Sequence, residues 1–126
     1  MNKRRILLVD DEIFILECLK IFMERSGVKI LTASNFIEAT KILDREEIDL
    51  LITDFNLKDE LGDGADLINY CRLDKPLPAI IITGSDIQEV RNKIGIDTES
   101  AAVTEFILKP ANLESLKKIV DRIFNS

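Results

Sequence analysis

A chain of 126 residues fits one domain of ordinary size built on a single core. Its 46% hydrophobic and 32% charged residues exclude disordered and fibrous classes, and a formal net charge of −6 repels a phosphate backbone, so direct nucleic-acid binding is not expected. The chain has no histidine, which excludes Ser-His-Asp and Cys-His catalysis, histidine-ligated zinc, and phosphate donation from an imidazole of its own.

Lys3-Arg4-Arg5 is followed only by the short apolar run Ile6–Val9, far less than a secretory apolar region, and no run reaches membrane length. A cytoplasmic location with no membrane contact is the expectation. Ile6–Val9 is the first predicted strand, and four more follow at Val28–Leu31, Ile48–Ile52, Ala79–Ile82 and Phe106–Leu108. Their apolar character is continuous, the habit of parallel strands covered on both faces. Between the first two strands, Ile15, Leu16, Leu19, Phe22 and Met23 form a helical stripe ending near Gly27. Asn35 is placed to cap a second helix carrying Phe36, Ala39, Thr40 and Leu43. A third helix is predicted over Ala65–Asp74, a fourth from Ser85, whose spacing to Gln88 resembles a capping box, and a fifth through Leu113, Leu116, Val120, Ile123 and Phe124. Residues 55–64 and 95–103 read as loops, the first acid-rich and expected to be mobile. Cys18 and Cys71 stand 53 positions apart without metal-type spacing, and both read as small packed hydrophobes in a reducing compartment. Strands alternating with helices predict an open, doubly wound α/β domain with a parallel sheet between two helical layers.

In such a sheet, ligands bind outside the carboxyl ends of the strands, and these ends are ionic. The first strand runs into Asp10-Asp11, the third into Asp54, the fourth into Thr83-Gly84 and the fifth into Lys109-Pro110. Each feature alone has a structural explanation as a cap or turn, but no similar set lies at the opposite edge. Three carboxylates and one ammonium leave a charge of about −2, which a divalent cation with hard oxygen preferences cancels; Mg²⁺ suits such a site. A cation beside a carboxylate, a lysine and a hydroxyl is also the equipment of phosphoryl transfer, with Asp54 as the candidate nucleophile.

The runs Ile6-Leu-Leu-Val-Asp-Asp-Glu12, Leu51-Ile-Thr-Asp54, Thr83-Gly84 and Ala101-Ala-Val-Thr-Glu-Phe-Ile-Leu-Lys109-Pro110 together resemble a response regulator receiver domain of bacterial two-component signalling, over essentially residues 1–126. The resemblance implies a flavodoxin-like (βα)5 fold with strand order 2-1-3-4-5. It implies that Asp54 accepts a phosphoryl group from a sensor histidine kinase or phosphotransfer protein. Asp11, Asp54 and the backbone carbonyl of Asn56 would bind Mg²⁺, with Asp10 helping partly through water. Lys109 would pair with the phosphoryl oxygens and Thr83 would hydrogen-bond one of them. Phe106 falls at the family's aromatic switch position. A downstream protein or output domain would read the surface of the fourth helix, fifth strand and fifth helix, and phosphorylation could drive homodimerisation. Two departures stand out: Leu57 is followed by Lys58-Asp59-Glu60 rather than a proline turn, with the glycines about two residues late, and the 25 residues between Thr83 and Lys109 exceed the usual count. The longer spacing puts its excess near Ile96–Ser100.

Two other classes compete. A Mg²⁺-dependent phosphatase of the haloacid-dehalogenase type also uses a strand-end aspartate nucleophile, but it wants Asp-x-Asp, and Asn56 offers an amide where that general acid belongs. A nucleotide- or flavin-binding domain needs a glycine- or hydroxyl-rich phosphate loop where this chain has Asp10-Asp11-Glu12. The expected protein is a switch that catalyses only its own phosphorylation and dephosphorylation.

Overall fold

The computed structural model describes residues 3–74, 77–84, 88–89, 92 and 103–125. They form β1 (Arg5–Val9), α1 (Ile13–Glu24), β2 (Lys29–Ala33), α2 (Phe36–Arg45), β3 (Leu50–Asp54), α3 (Gly64–Asp74), β4 (Ala79–Thr83), β5 (Val103–Leu108) and α4 (Leu113–Asn125). The helix expected from Ser85 falls mostly outside the described residues, although Gln88, Glu89 and Asn92 have helical backbone. The extra length near Ile96–Ser100 lies outside them altogether.

The five strands form one parallel sheet in the order β2-β1-β3-β4-β5. Every residue of β3 and β4 is buried, as strands covered on both faces require, whereas edge strand β2 buries only Ile30 and Ala33. Successive side chains point to opposite faces, so the sheet divides the interior into two cores. Leu7, Val9, Leu51 and Ile81 pack with Ala39 of α2 and Leu67, Ile68 and Cys71 of α3. Ile6, Leu8, Leu50, Ile52, Ile80 and Ile82 pack with Leu16, Leu19 and Met23 of α1 and Leu116 and Val120 of α4.

The helix signals act as expected. Asn35 Oδ1 accepts the Glu38 N–H at 2.9 Å, and the Glu38 carboxylate accepts the Ser34 N–H, also at 2.9 Å, which closes both ends of the first turn of α2. Gly27, at φ 83°, follows α1 in the left-handed region that a side chain resists. Strand limits need correction. β2 and β3 start later than the apolar runs and extend through Ala33 and Asp54, and β5 begins at Val103 rather than Phe106, so residue 103 is strand and not loop. Neighbouring backbones set these limits: Ala33 pairs with Val9, Asp54 with Ile82 and Val103 with Ala79. Cys18 is a second correction. It lies on the solvent side of α1 with Phe14 and Ile21, because the helix turns Leu16, Leu19, Met23 and in part Phe22 inward; Ile15 of the expected stripe is exposed as well, whereas Cys71 is buried as expected.

Candidate functional site

The parallel register carries each ionic residue to one edge of the sheet. Asp10 follows β1 and stays attached to it, donating its N–H to Ala33 O at 3.2 Å. Asp54 ends β3, paired with Ile82, and the next N–H, from Phe55, donates to Ile82 O at 2.9 Å. Lys109 leaves β5 while its N–H still donates to Thr83 O at 2.8 Å. Asp10, Asp54 and Thr83 are buried, Asp11 is half-buried and Lys109 is exposed at its rim.

One carboxylate oxygen from each of Asp10, Asp11 and Asp54 lies within 4.8 Å of the others. Lys109 Nζ donates to Asp54 Oδ2 at 2.9 Å, while Asp54 Oδ1 accepts a longer bond of 3.4 Å from the Asn56 N–H. Asp10 Oδ1 accepts the Glu12 N–H at 2.9 Å, at the entry to α1. Burial pushes the Asp10 carboxyl up to about 6; the Glu12 N–H opposes this shift, and the charges of Asp54 and Asp11 add to it. Burial works against the Lys109 ammonium, but its bond to Asp54 and the charges of Asp54, Asp10 and Glu12 outweigh that and raise its pKa. One ammonium thus faces three carboxylates, an excess of negative charge held partly out of water. A divalent cation fits this donor set: it would offset the burial, and after it the like charges, that keep Asp10 from ionising readily.

The structure brings Asp10, Asp11, Asp54 and Lys109 into one cluster, bonds the Asn56 N–H to Asp54, and ends the neighbouring strand β4 at Thr83. Thr83 is 1% exposed, and parity places it on the same sheet face as Phe106, which pairs with Ile81. Phe106 is half-buried against the core shared by α2 and α3. Asn56 is exposed, with its side-chain oxygen accepting the Lys58 N–H at 3.0 Å. Sequence reasoning missed Gly64 as more than a turn glycine. Its N–H donates to Phe55 O at 2.8 Å, and a Cβ there would sit 2.6 Å from the Asp54 carbonyl oxygen and 2.9 Å from Phe55 Cα, so the backbone can pass behind Asp54 only without a side chain. It also missed that Asp59 Oδ2 accepts the Phe36 N–H at 3.0 Å, a contact across 23 residues with no local sequence signal.

An open parallel α/β sheet with an acid-lined crevice at its carboxyl edge, closed by one lysine, defines a domain that binds its ligand at the strand ends. The chain belongs to the response regulator receiver domain family, whose model matches residues 6–121. It is 34% identical over 121 residues to the response regulator protein PilR of Pseudomonas aeruginosa, covering 95% of this chain and 26% of the relative. It is 30% identical over 118 residues to the transcriptional regulatory protein GlrR of Escherichia coli, covering 92% of this chain and 25% of the relative. The chain therefore spans about a quarter of the length of these curated relatives. Among solved structures, it superposes on a two-component response regulator from Clostridium difficile with a TM-score of 0.85 at 27% identity, covering 98% of this chain and 97% of the other. A CheY-like receiver domain protein from Methanospirillum hungatei gives 0.82 at 26%, covering 98% and 96%. The chain is thus a receiver domain of two-component signalling. Among the described residues, no helix is long and apolar enough to cross a membrane.

Proposed function

We propose that residues 1–126 form a single receiver domain that takes a phosphoryl group onto Asp54 from a phosphohistidine, supplied by a sensor histidine kinase or phosphotransfer protein. The observation that carries this reading is a buried carboxylate at a strand end, ion-paired to Lys109 at 2.9 Å and clustered with Asp10 and Asp11. Asp11, Asp54 and the Asn56 carbonyl would hold Mg²⁺, with Asp10 assisting partly through water. When bound, the ion neutralises charge on the phosphoryl oxygens.

In the transfer, the N–P bond of the donor breaks as an Asp54 oxygen forms the new O–P bond, and the imidazole leaves with the electron pair. Lys109 then moves its positive charge from the Asp54 carboxylate to the phosphoryl oxygens, which replace that carboxylate's charge within its reach. The Thr83 hydroxyl donates to another of these oxygens. Thr83 shares its sheet face with Phe106, so its movement toward Asp54 opens room for the ring to turn inward. The change would spread over β5 and the helices beside it, where a downstream protein or an output domain docks, or where two phosphorylated copies pair. The cytoplasm supplies the Mg²⁺ and the phosphodonor this scheme needs.

Adding beryllofluoride and Mg²⁺ while recording amide chemical shifts tests the reading. The account expects a complex that needs Mg²⁺ and Asp54 and that shifts Thr83, Phe106 and Leu108. Changes confined to Asp10, Asp11 and Asp54 would refute the switch.

A further inference from the structure

The segment from Asn56 to Asp63 joins β3 to α3 without regular structure, and its acidic sequence gives it no apolar anchor beyond Leu57. It also holds Lys58 at φ 51°, a left-handed conformation that costs a residue with a side chain about 1–2 kcal/mol. Left alone, such a loop would sample many shapes. Yet Asp59 binds it at two points. Its Oδ1 accepts the Leu61 N–H at 3.0 Å within the loop, and its Oδ2 accepts the Phe36 N–H at 3.0 Å from the first turn of α2. That second bond joins a carboxylate to a donor left unpaired by the helix itself, at the positive end of the helix dipole.

Packing reinforces the same contact. A Cβ at Gly62 would sit 2.6 Å from a Phe36 ring carbon, so the ring lies directly on the loop backbone. Phe36 meets Tyr70 of α3 edge to face, with centroids 6.4 Å apart, and the Tyr70 hydroxyl donates to Asp44 Oδ1 of α2 at 2.5 Å. The loop is thus fastened to α2 by one charged bond and one aromatic contact, both close to Asn56 in the chain.

We propose that Asp59 is a positioning residue of the cation site: by clamping the loop to the start of α2, it holds the Asn56 carbonyl in place beside Asp11 and Asp54. This rests on the reading of that carbonyl as a Mg²⁺ ligand. Without the clamp, the loop is competent for only part of the time, and apparent affinity falls in proportion to that fraction. Asp59→Asn keeps the shape of the side chain but can accept only one of the two N–H groups through its single oxygen. Glu60→Gln removes the same charge from the neighbouring exposed residue and leaves the clamp whole.

Titrating Mg²⁺ into the native chain, Asp59→Asn and Glu60→Gln by calorimetry, at one pH and ionic strength, tests the inference. The clamp predicts a dissociation constant raised about three- to tenfold in Asp59→Asn and changed less than about twofold in Glu60→Gln. ¹⁵N relaxation of the amides of residues 57–62 without Mg²⁺ should show a looser loop in Asp59→Asn alone. A native chain that takes up no Mg²⁺ overturns the cation site itself. Normal native binding with unchanged Asp59→Asn affinity or unchanged loop order overturns the clamp. So does an equal loss in both variants, which would reduce the effect of Asp59 to its charge.

Discussion

Asp10 offers a test of the electrostatics of the crevice that needs no phosphodonor. In the folded chain its carboxyl is pushed from 3.8 up to about 6, first by burial and then by the charges around it. The unfolded chain ionises this group near pH 4, whereas the folded chain resists until about pH 6. The cost of carrying the charge is therefore fully present above pH 6 and disappears as pH falls toward 4. A shift of about two units corresponds to roughly 3 kcal/mol. Asp10→Asn removes the charge but keeps the oxygen that accepts the Glu12 N–H at 2.9 Å. In EDTA at pH 8 the variant should be more stable than the native chain by about 2–3 kcal/mol, or roughly 6–15 °C in thermal midpoint for a domain of this size. The gain should shrink steadily between pH 6 and pH 4. Saturating Mg²⁺ should erase or reverse it, because the cation stabilises the native chain in proportion to its binding and the variant less. Urea denaturation monitored by circular dichroism over this pH series measures the effect. If Asp10→Asn is neutral or destabilising in EDTA at pH 8, the cost of holding a buried charge at Asp10 argued for the crevice is wrong.

Other expectations follow from single contacts. Lys109→Ala removes the ammonium bonded to Asp54 and should slow labelling by acetyl phosphate about ten- to a hundredfold, measured as the rate of acyl phosphate formation. Gly64→Ala drives a methyl group against the Asp54 carbonyl and Phe55 Cα, so it should lose about 2–4 kcal/mol in denaturant titration, and a neutral result would contradict the close approach. With iodoacetamide at pH 7.5, exposed Cys18 should react quickly and Cys71 only on unfolding, because Cys71 is buried and its thiol is pushed up to about 11; peptide mapping of the alkylated chain distinguishes the two.

The sequence made the sheet legible because five apolar runs separated by helix-period segments admit little other than parallel crossovers. It made the crevice legible because ionic residues recur at the strand ends. Strand limits were less clear, since Thr32-Ala33 and Thr53-Asp54 look like the start of a loop until Val9 and Ile82 pair with them. Cys18 was misplaced because α1 is apolar almost all round: Ile13, Phe14 and Ile21 are exposed too, so hydrophobicity alone did not reveal which side faces the sheet. The anchoring of the acid-rich loop was invisible because it depends on a carboxylate meeting a backbone N–H 23 residues away, and neither residue type marks that contact in advance. Gly64 carried a signal of its own, a second glycine directly after an aspartate, but only the geometry explains why no side chain fits.

The most direct test of the central claim is to incubate the full chain with acetyl phosphate and locate the added phosphoryl group by mass spectrometry, trapping the acyl phosphate by borohydride reduction. The account predicts one phosphoryl group per chain, at Asp54, formed only with Mg²⁺ present and absent from Asp54→Asn. Labelling that persists in EDTA, or that maps to another residue while Asp54 stays unmodified, would contradict it.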